Sequence, residues 1–523
     1  MTTVTYLAAD ATYSTTLDKV TLTNADTSPY TATSRVATVD ASARSKAITI
    51  TGNALANSIV GGSGKDIIDG AADNDSIFGN AGNDSLSGGA GADYLVGGKG
   101  SDTFNGGAGA DVFFYENGDG ADTIVDYTES EDTIQIKGVD VTKVAASKSG
   151  NLKFTVTKGS ISVVDGVGKK IKFVDENENV VLNQSFGESL LTITNDDFAT
   201  INTAIDAAVM TVDASARTDS INIIGNAKNN LIQLGASSAT VASGNGKDTI
   251  VANSSGQLLL TDYTVGKDIL KFDSAITNAE ISSNDVIFTF AAGTVTVEGG
   301  KDKKITIVDS NGNKTSQVYA SPTVTAANTD GSPIRAFGDT IVLDASKRKN
   351  AVMLIGNDAD NTIIGGKNGN KTYDTLTGGS GADVFVYNKG AGNDIITDYS
   401  VYEGDVIQLG KGAFVTSAQT SGSDYIFTLN KSGTITVKDG ASQSITFKNS
   451  NGMAFNYQAV VPENAEVAFE ERWFMESAIQ NSELDSIIED KTISLDENNF
   501  NDEDVLKKSI KNVEIVQNSK SEK

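Results

Sequence analysis

The chain has 523 residues, with 41 Lys and Arg against 68 Asp and Glu, which gives a formal net charge of −27 at pH 7. Cysteine and histidine are both absent. This composition excludes disulfide frameworks and histidine-dependent catalytic sites, and the negative charge argues against nucleic acid as a partner.

The N-terminal segment, residues 1–19, reads MTTVTYLAADATYSTTLDK. It lacks the basic and apolar regions of a secretory signal peptide, so we expect no cleaved leader. Hydrophobic runs are short along the whole chain, and we therefore expect no insertion into a membrane.

Residues 61–114 are six consecutive copies of a nine-residue unit: GGSGKDIID, GAADNDSIF, GNAGNDSLS, GGAGADYLV, GGKGSDTFN and GGAGADVFF. Position 1 is always Gly, and position 8 is always Ile, Leu or Phe. Position 6 is always aspartate: Asp66, Asp75, Asp84, Asp93, Asp102 and Asp111. A nine-residue period of this kind predicts a tight turn followed by a short strand, with two units completing one coil.

Stacked coils would place aspartates that are 18 residues apart on the same edge. One column would contain Asp75, Asp93 and Asp111, and the other Asp66, Asp84 and Asp102. Carboxylates one strand spacing apart, roughly 5 Å, repel one another without a counter-charge. Calcium accepts about 6–8 oxygen ligands, so the pairs 66/84, 84/102, 75/93 and 93/111 predict calcium sites completed by backbone carbonyls. Magnesium fits less well, because it requires a small and rigid octahedron.

The tract resembles the haemolysin-type (RTX) calcium-binding repeat family of secreted bacterial proteins. The resemblance implies a parallel β-roll, and it implies the ligand role for the six aspartates above. It also implies a carbonyl-ligand role for nine glycines: Gly62, Gly64, Gly82, Gly89, Gly91, Gly98, Gly100, Gly107 and Gly109. Ala71 and Asp73 replace glycine in the second copy, so we expect a weaker site there.

A longer repeat surrounds this tract. It begins VDASAR at Val39, VDASAR at Val212 and LDASKR at Leu343, and each copy leads into a unit with Asn in place of Asp, at Asn57, Asn230 and Asn361. It continues with a GxGxD-like segment ending in Asp122, Asp248 or Asp394, for which a capped turn and a metal ligand both remain open. Alternating strands then close each copy.

The repeat predicts three homologous, nearly all-β units. Unit 1 covers 20–190 with the β-roll at 52–114, unit 2 covers 191–321 with degenerate repeats, and unit 3 covers 322–460 with a short tract at 356–386. In unit 3, Asp374 and Asp383 are candidate calcium ligands. We expect most calcium in unit 1, a further site in unit 3 and none in unit 2.

Residues 461–523 lose the glycines and become acidic. The segment AEVAFEERWFMESAIQ, residues 465–480, predicts an amphipathic helix. We expect a small helical tail that caps the last unit, since open-ended repeat arrays need such caps. The resemblance further implies an uncleaved C-terminal signal for type I (ABC-transporter) secretion.

The first functional hypothesis is a secreted calcium-binding protein that folds on extracellular calcium and serves as a structural, surface-associated or adhesive protein. Its expected partners are calcium, the type I secretion machinery, and a cell-surface, glycan or self-assembly partner. The alternative is a secretion or stability module of an extracellular carbohydrate-active enzyme or toxin-like effector. We expect no enzymatic activity, because the sequence contains no recognisable catalytic constellation.

Overall fold

The computed structural model describes residues 4–5, 18–367, 372–430, 433–459 and 471–474. These residues form strands joined by short turns, and the one helical element among them is a single 3-10 turn at Gly440–Ser442. No helix within these ranges has the length and apolar character needed to cross a membrane. The prediction of an all-β chain is confirmed.

The strand bounds are given in chain order. From residue 1 to 192 they are β1 Val4–Thr5, β2 Lys19–Thr21, β3 Tyr30–Thr31, β4 Thr38–Asp40, β5 Thr49–Asn53, β6 Ser58–Val60, β7 Ile67–Ala72, β8 Ser76–Ala81, β9 Ser85–Ala90, β10 Tyr94–Lys99, β11 Thr103–Ala108, β12 Val112–Glu116, β13 Gly120–Ile124, β14 Thr133–Lys137, β15 Val141–Ala146, β16 Leu152–Val156, β17 Gly159–Val163, β18 Lys170–Val174, β19 Val180–Ser185 and β20 Leu190–Thr192. The middle strands are β21 Thr200–Asn202, β22 Thr211–Ala214, β23 Ile221–Ile224, β24 Leu231–Leu234, β25 Ser238–Ala242, β26 Thr249–Ala252, β27 Gln257–Leu260, β28 Ile269–Phe272, β29 Asn278–Ser282, β30 Asp285–Thr289, β31 Thr294–Val297, β32 Lys304–Val308 and β33 Lys314–Val318. The last strands are β34 Thr323–Thr325, β35 Ile334–Arg335, β36 Val342–Asp344, β37 Met353–Ile355, β38 Thr362–Ile364, β39 Tyr373–Thr377, β40 Val384–Tyr387, β41 Asn393–Ile396, β42 Val406–Leu409, β43 Val415–Ser421, β44 Asp424–Leu429, β45 Gly433–Val437, β46 Ser444–Lys448, β47 Ala454–Ala459 and β48 Glu471–Phe474.

The chain divides into two compact units, residues 1–269 with 292–295 and residues 270–291 with 296–523. The first unit contains roll 1, which we define as strands β2–β19. Successive strands of roll 1 alternate between two sheets, ordered β2-β4-β6-β8-β10-β12-β14-β18-β19 and β15-β16-β17-β13-β11-β9-β7-β5-β3. The strands between β2 and β14 pair in parallel, so each pair of successive strands completes one coil, and the predicted parallel β-roll is confirmed.

The same alternation recurs further along the chain. In the first unit, strands β20-β22-β24-β26 pair in parallel in one sheet, and strands β21-β23-β25-β27 pair in parallel in another. In the second unit, roll 3, defined as strands β34–β48, has sheets ordered β34-β36-β38-β40-β42-β46-β47-β48 and β35-β37-β39-β41-β45-β44-β43. Strands β32 and β33 form an antiparallel hairpin around Asn311 and Gly312, as that turn sequence predicts. The division of the chain into the three homologous units inferred from the sequence repeat stays a prediction.

The position-8 side chains form the core of roll 1. Strand register aligns Ile59, Ile77, Leu95 and Phe113 on one sheet, and it aligns Ile50, Ile68, Leu86 and Phe104 on the other. All eight are at most 2% exposed. Because one side chain per strand faces inward, a nine-residue unit gains its core only by stacking on its neighbours.

The structure corrects the helix prediction where it describes the tail. Glu471–Phe474 form strand β48, which pairs in antiparallel fashion with β47. The predicted helix is therefore wrong at these four residues. The physical reason is the open edge of β47, whose unpaired backbone groups can bond an extended segment regardless of its apolar spacing. The rest of the predicted tail lies outside the described residues.

Candidate metal centre

The aspartates of the nine-residue units form two ladders, one on each edge of roll 1. In the first ladder the N–H of Asp66 donates to Oδ1 of Asp84 over 2.7 Å, and the N–H of Asp84 donates to Oδ1 of Asp102 over 2.7 Å. In the second, Asp75 bonds Asp93 over 2.7 Å and Asp93 bonds Asp111 over 2.9 Å in the same way. The structure thus brings together all four aspartate pairs that the sequence predicts.

Most aspartates of both ladders keep one carboxylate oxygen that has no hydrogen-bond partner. Oδ2 of five ladder aspartates is buried and unbonded: Asp75, Asp84, Asp93, Asp102 and Asp111. A buried carboxylate oxygen without a donor is costly, and it is normally paired or coordinated to a metal. The row of free oxygens therefore makes the interior of both ladders a candidate cation site.

Burial also changes the acidity of these groups. Removal from water raises the pKa of Asp75 and Asp84 to about 7, and the neighbouring ladder carboxylates add to the increase. The same cause raises the pKa of Asp102 and Asp111 to about 6. A bound cation would stabilise the charged form that burial disfavours.

The turns between the ladder strands stack backbone on backbone. Positions 2 and 4 adopt positive φ in every copy after the first, including Ala71 at 84° and Asp73 at 69°. Gly62 and Gly64 in the first copy do not. A Cβ at Gly100 would overlap the carbonyl oxygen of Gly82 in the turn before it. Glycine at position 4 therefore permits close contact as well as an unusual dihedral angle.

This contact predicts a difference between two glycine variants. Gly100→Ala should lower the free energy of unfolding of the calcium-loaded chain by about 1–3 kcal/mol more than Gly118→Ala does. Both glycines have positive φ, at 154° and 102°, but a Cβ at Gly118 meets no atom within 4 Å. Thermal denaturation in calcium measures the difference, and equal losses for the two variants would show that turn stacking is not the constraint.

The donor set fits calcium only if the backbone contributes. Among the described residues, no three acidic side chains converge on one point. Each step of a ladder offers two carboxylates, and the stacked turns place the carbonyl oxygens of one coil directly against the backbone of the next coil. Calcium accepts a mixture of carboxylate and carbonyl oxygens with loose geometry, and such mixed sets fit it better than they fit magnesium.

Roll 1 also contains ladder residues that the nine-residue period does not identify. The backbone N–H of Asp102 donates to Oδ1 of Asp122 over 2.9 Å, and the backbone N–H of Asp111 donates to Oδ1 of Asp132 over 3.0 Å. Asp126 accepts the N–H groups of Gly106 and Gly107 and so caps the last turn. Two features of the longer repeat carry them, each present three times in the sequence: the GxGxD-like segment ends in Asp122, and a DY segment with a later Asp contains Asp126 and Asp132.

The middle stretch, residues 190–318, has a short ladder of the same kind, with a single step between two aspartates. The backbone N–H of Asn230 donates to Oδ1 of Asp248 over 2.7 Å, and the backbone N–H of Asp248 donates to Oδ1 of Asp268 over 3.1 Å. Oδ2 of Asp248 is buried without a partner. Oδ1 of Asp248 accepts a backbone N–H, as the capped turn requires, and a metal-ligand role for this residue stays a prediction.

Roll 3 separates the two candidate ligands that the sequence grouped together. Asp383 belongs to a ladder with Asn361 and Asp405, and its Oδ2 is buried and unbonded. Asp374 lies across the strand register from Asp394, and both of its own carboxylate oxygens accept backbone N–H groups, from Val352 and Gly366. A spacing of nine residues places Asp374 and Asp383 in different ladders, so they do not share a site.

Comparison with known proteins agrees with this geometry. Residues 51–86, 87–124 and 368–396 match the family model described as the RTX calcium-binding nonapeptide repeat (4 copies). The chain therefore carries repeats of that type. Among solved structures it is similar to the extracellular lipase LipA from Serratia marcescens, with 15% identity and a TM-score of 0.18 over 43% of this chain and 38% of that one. The match thus spans well under half of the lipase. No curated protein matches the chain.

Proposed function

We propose that the chain is an extracellular calcium-binding protein whose ladder turns fold when calcium fills them. The observation that carries the proposal is the row of buried, unbonded Oδ2 atoms in consecutive coils of both ladders. The match to calcium-binding nonapeptide repeats supports the identity of the ion. Proteins with such repeats are typically secreted, which supports an extracellular location and a type I transporter as partner.

The chain's own residues would act as follows. The ladder aspartates hold one oxygen on a backbone N–H and direct the other into the turn, so the second oxygen is already placed for a cation. Position-2 and position-4 turns supply carbonyl oxygens from successive coils. Calcium supplies the positive charge that this acidic interior lacks. Since an unfolded chain has no such site, binding energy becomes folding energy.

The proposal has a consequence for secretion. Where calcium is scarce, as inside a cell, repulsion along the ladders opposes formation of the turns, so the tract can pass extended through a transporter. Outside, calcium neutralises the ladders and the roll forms. We further propose that the chain has a structural, surface-associated or adhesive role and has no catalytic activity of its own. In support, the acidic side chains with free buried oxygens lie mainly on the ladders in the described part of the chain.

Calcium removal tests the proposal directly. Addition of millimolar calcium to the chelated full-length chain should increase β-sheet circular dichroism and raise the melting temperature, because each bound ion stabilises the folded state in proportion to the logarithm of its concentration. Magnesium at the same concentration is the control and should have a much smaller effect. Identical spectra and melting temperatures in chelator and in calcium would contradict a calcium-dependent fold.

A further inference from the structure

Each ladder system is preceded by a coil that lacks ladder aspartates. In roll 1 this coil is residues 43–57. Its first turn lies 18 residues, or one full coil, before the turn that contains Gly62 and Asp66. Arg44 occupies the place that Gly62 takes in the next turn, and Ile48 occupies the place of Asp66. The middle stretch has Arg217 and Ile221 in these places, and roll 3 has Arg348 and Val352.

The Arg44 guanidinium lies between two successive turns and bonds the carbonyls of both. Nη1 donates to the carbonyl oxygens of Thr23 and Asp26 in the turn before it, over 2.5 and 3.0 Å. Nε and Nη2 donate to the carbonyl oxygens of Lys46 and Ala47 in its own turn, over 3.1 and 3.4 Å. The side chain is only 4% exposed. A positive charge thus sits among carbonyl oxygens of two turns, as the calcium sites require.

The other two arginines repeat this arrangement. Arg217 donates to Thr194, Asp197, Asp219 and Ser220, and Arg348 donates to Ala327, Asp330, Asn350 and Ala351, in each case at the carbonyl oxygen. They are 2% and 4% exposed. Three copies with the same carbonyl partners show that the position is a feature of the repeat.

On the opposite edge, the same coil ends with Asn57, which precedes Asp75 in the second ladder. Oδ1 of Asn57 accepts the N–H of Asn53, and Nδ2 donates to the carbonyl oxygen of Val36. An amide can accept at one atom and donate at the other, whereas a carboxylate can only accept. Asn57 therefore needs no cation, and Asn230 and Asn361 make the equivalent bonds.

The first aspartate after the arginine is also satisfied without metal. Asp66 accepts the N–H of Ile48 at Oδ1 and the N–H of Gly62 at Oδ2. Burial raises the pKa of Asp66, and the nearby charge of Arg44 opposes that increase. Free carboxylate oxygens begin only at the next residue of this ladder, Asp84.

We propose that Arg44, Arg217 and Arg348 are built-in cations that take the place of calcium between turns, so that the coil just before each ladder system folds without metal. That coil presents a finished edge, with its N–H groups aimed at the first ladder carboxylates, on which the calcium-binding turns assemble. Repeat arrays gain stability from contacts between neighbouring repeats, so a preformed coil lowers the cost of adding the next one. The inference rests on the proposed calcium response of those later turns.

Hydrogen exchange of the full-length chain, followed by mass spectrometry, tests the proposal. In chelator, peptides covering residues 44–52 should exchange at least about tenfold more slowly than peptides covering residues 79–100. Calcium should then protect the second segment and leave the first almost unchanged. Fast exchange of both segments in chelator, with both protected by calcium, would overturn the inference. Slow exchange of both would instead contradict the calcium response itself.

Arginine variants provide the second arm. Arg44→Gln retains hydrogen-bonding groups but removes the charge, and it should abolish protection of residues 44–52 in chelator and in calcium alike. Lys46→Gln removes the same charge from an exposed side chain of the same turn and should leave protection intact. If Arg44→Gln leaves the segment protected in both conditions, or if calcium restores its protection, the guanidinium is not the cation that holds this turn.

Discussion

Replacement of Asp84 and Asp93 together by Asn should raise the calcium concentration needed to fold roll 1 by at least about tenfold, which corresponds to a loss of about 1.4 kcal/mol. These residues lie at the centre of the two ladders, and each contributes to two of the predicted aspartate pairs. Asparagine keeps an oxygen that can accept the N–H of Asp66 or Asp75. It removes the charge at the buried, unbonded atom, so the loss falls on the cation rather than on the turn.

The matched control is Asp73→Asn. Asp73 lies in the same tract and carries the same charge, but its side chain is exposed, and asparagine tolerates its positive φ of 69°. Calcium titration followed by circular dichroism should give a midpoint close to that of the original chain. The control removes one charge and the ladder variant removes two. If the control shifts the midpoint by half as much on a logarithmic scale as the ladder variant does, or by more, general loss of negative charge explains the effect, and the ladders are not the sites.

The sequence predicts the ladders well because every nine-residue unit contains one inward side chain and one aspartate. Stacking the inward residues fixes the register, and a register of 18 residues then fixes which aspartates meet. The period fails at the end of the tract, where Asp102 meets Asp122 and Asp111 meets Asp132, at spacings of 20 and 21 residues. Longer turns at these places retain the ladder while breaking the pattern in the sequence.

The periodicity of side chains in the sequence cannot predict two other features of roll 1, the binding site of Arg44 and the difference between Asp66 and Asp84. The carbonyl partners of Arg44 are backbone atoms, which every residue has, so the sequence shows the arginine without its site. Asp66 and Asp84 occupy the same position of the repeat, but only Asp84 keeps a free oxygen, because Gly62 turns its N–H toward Asp66. In both cases the backbone conformation of the first turn decides the role of the side chain.

Acidification in chelator should favour the folded ladders. Burial, together with the facing carboxylates, raises the pKa of Asp75 and Asp84 in the folded chain from the ordinary value of 3.8 to about 7. Asp93, Asp73 and Asp69 face Asp75, and Asp102 and Asp66 face Asp84. Between these pKa values the folded state binds more protons than the unfolded state. The stability that these groups contribute is therefore complete below pH 3.8 and is lost as the pH rises through about 7.

Calcium should reverse this dependence, since the ion binds the charged form and must displace those protons. Without calcium, lowering the pH from about 8 to about 5 should increase the folded fraction of roll 1; with calcium, the same change should raise the midpoint concentration of the titration. Circular dichroism over this range measures both slopes. The Asp84→Asn, Asp93→Asn double variant has lost two of the titrating groups, so both slopes should become shallower. If lowering the pH increases the folded fraction of roll 1 in chelator and also lowers the calcium midpoint, protons and calcium do not compete for the ladder oxygens.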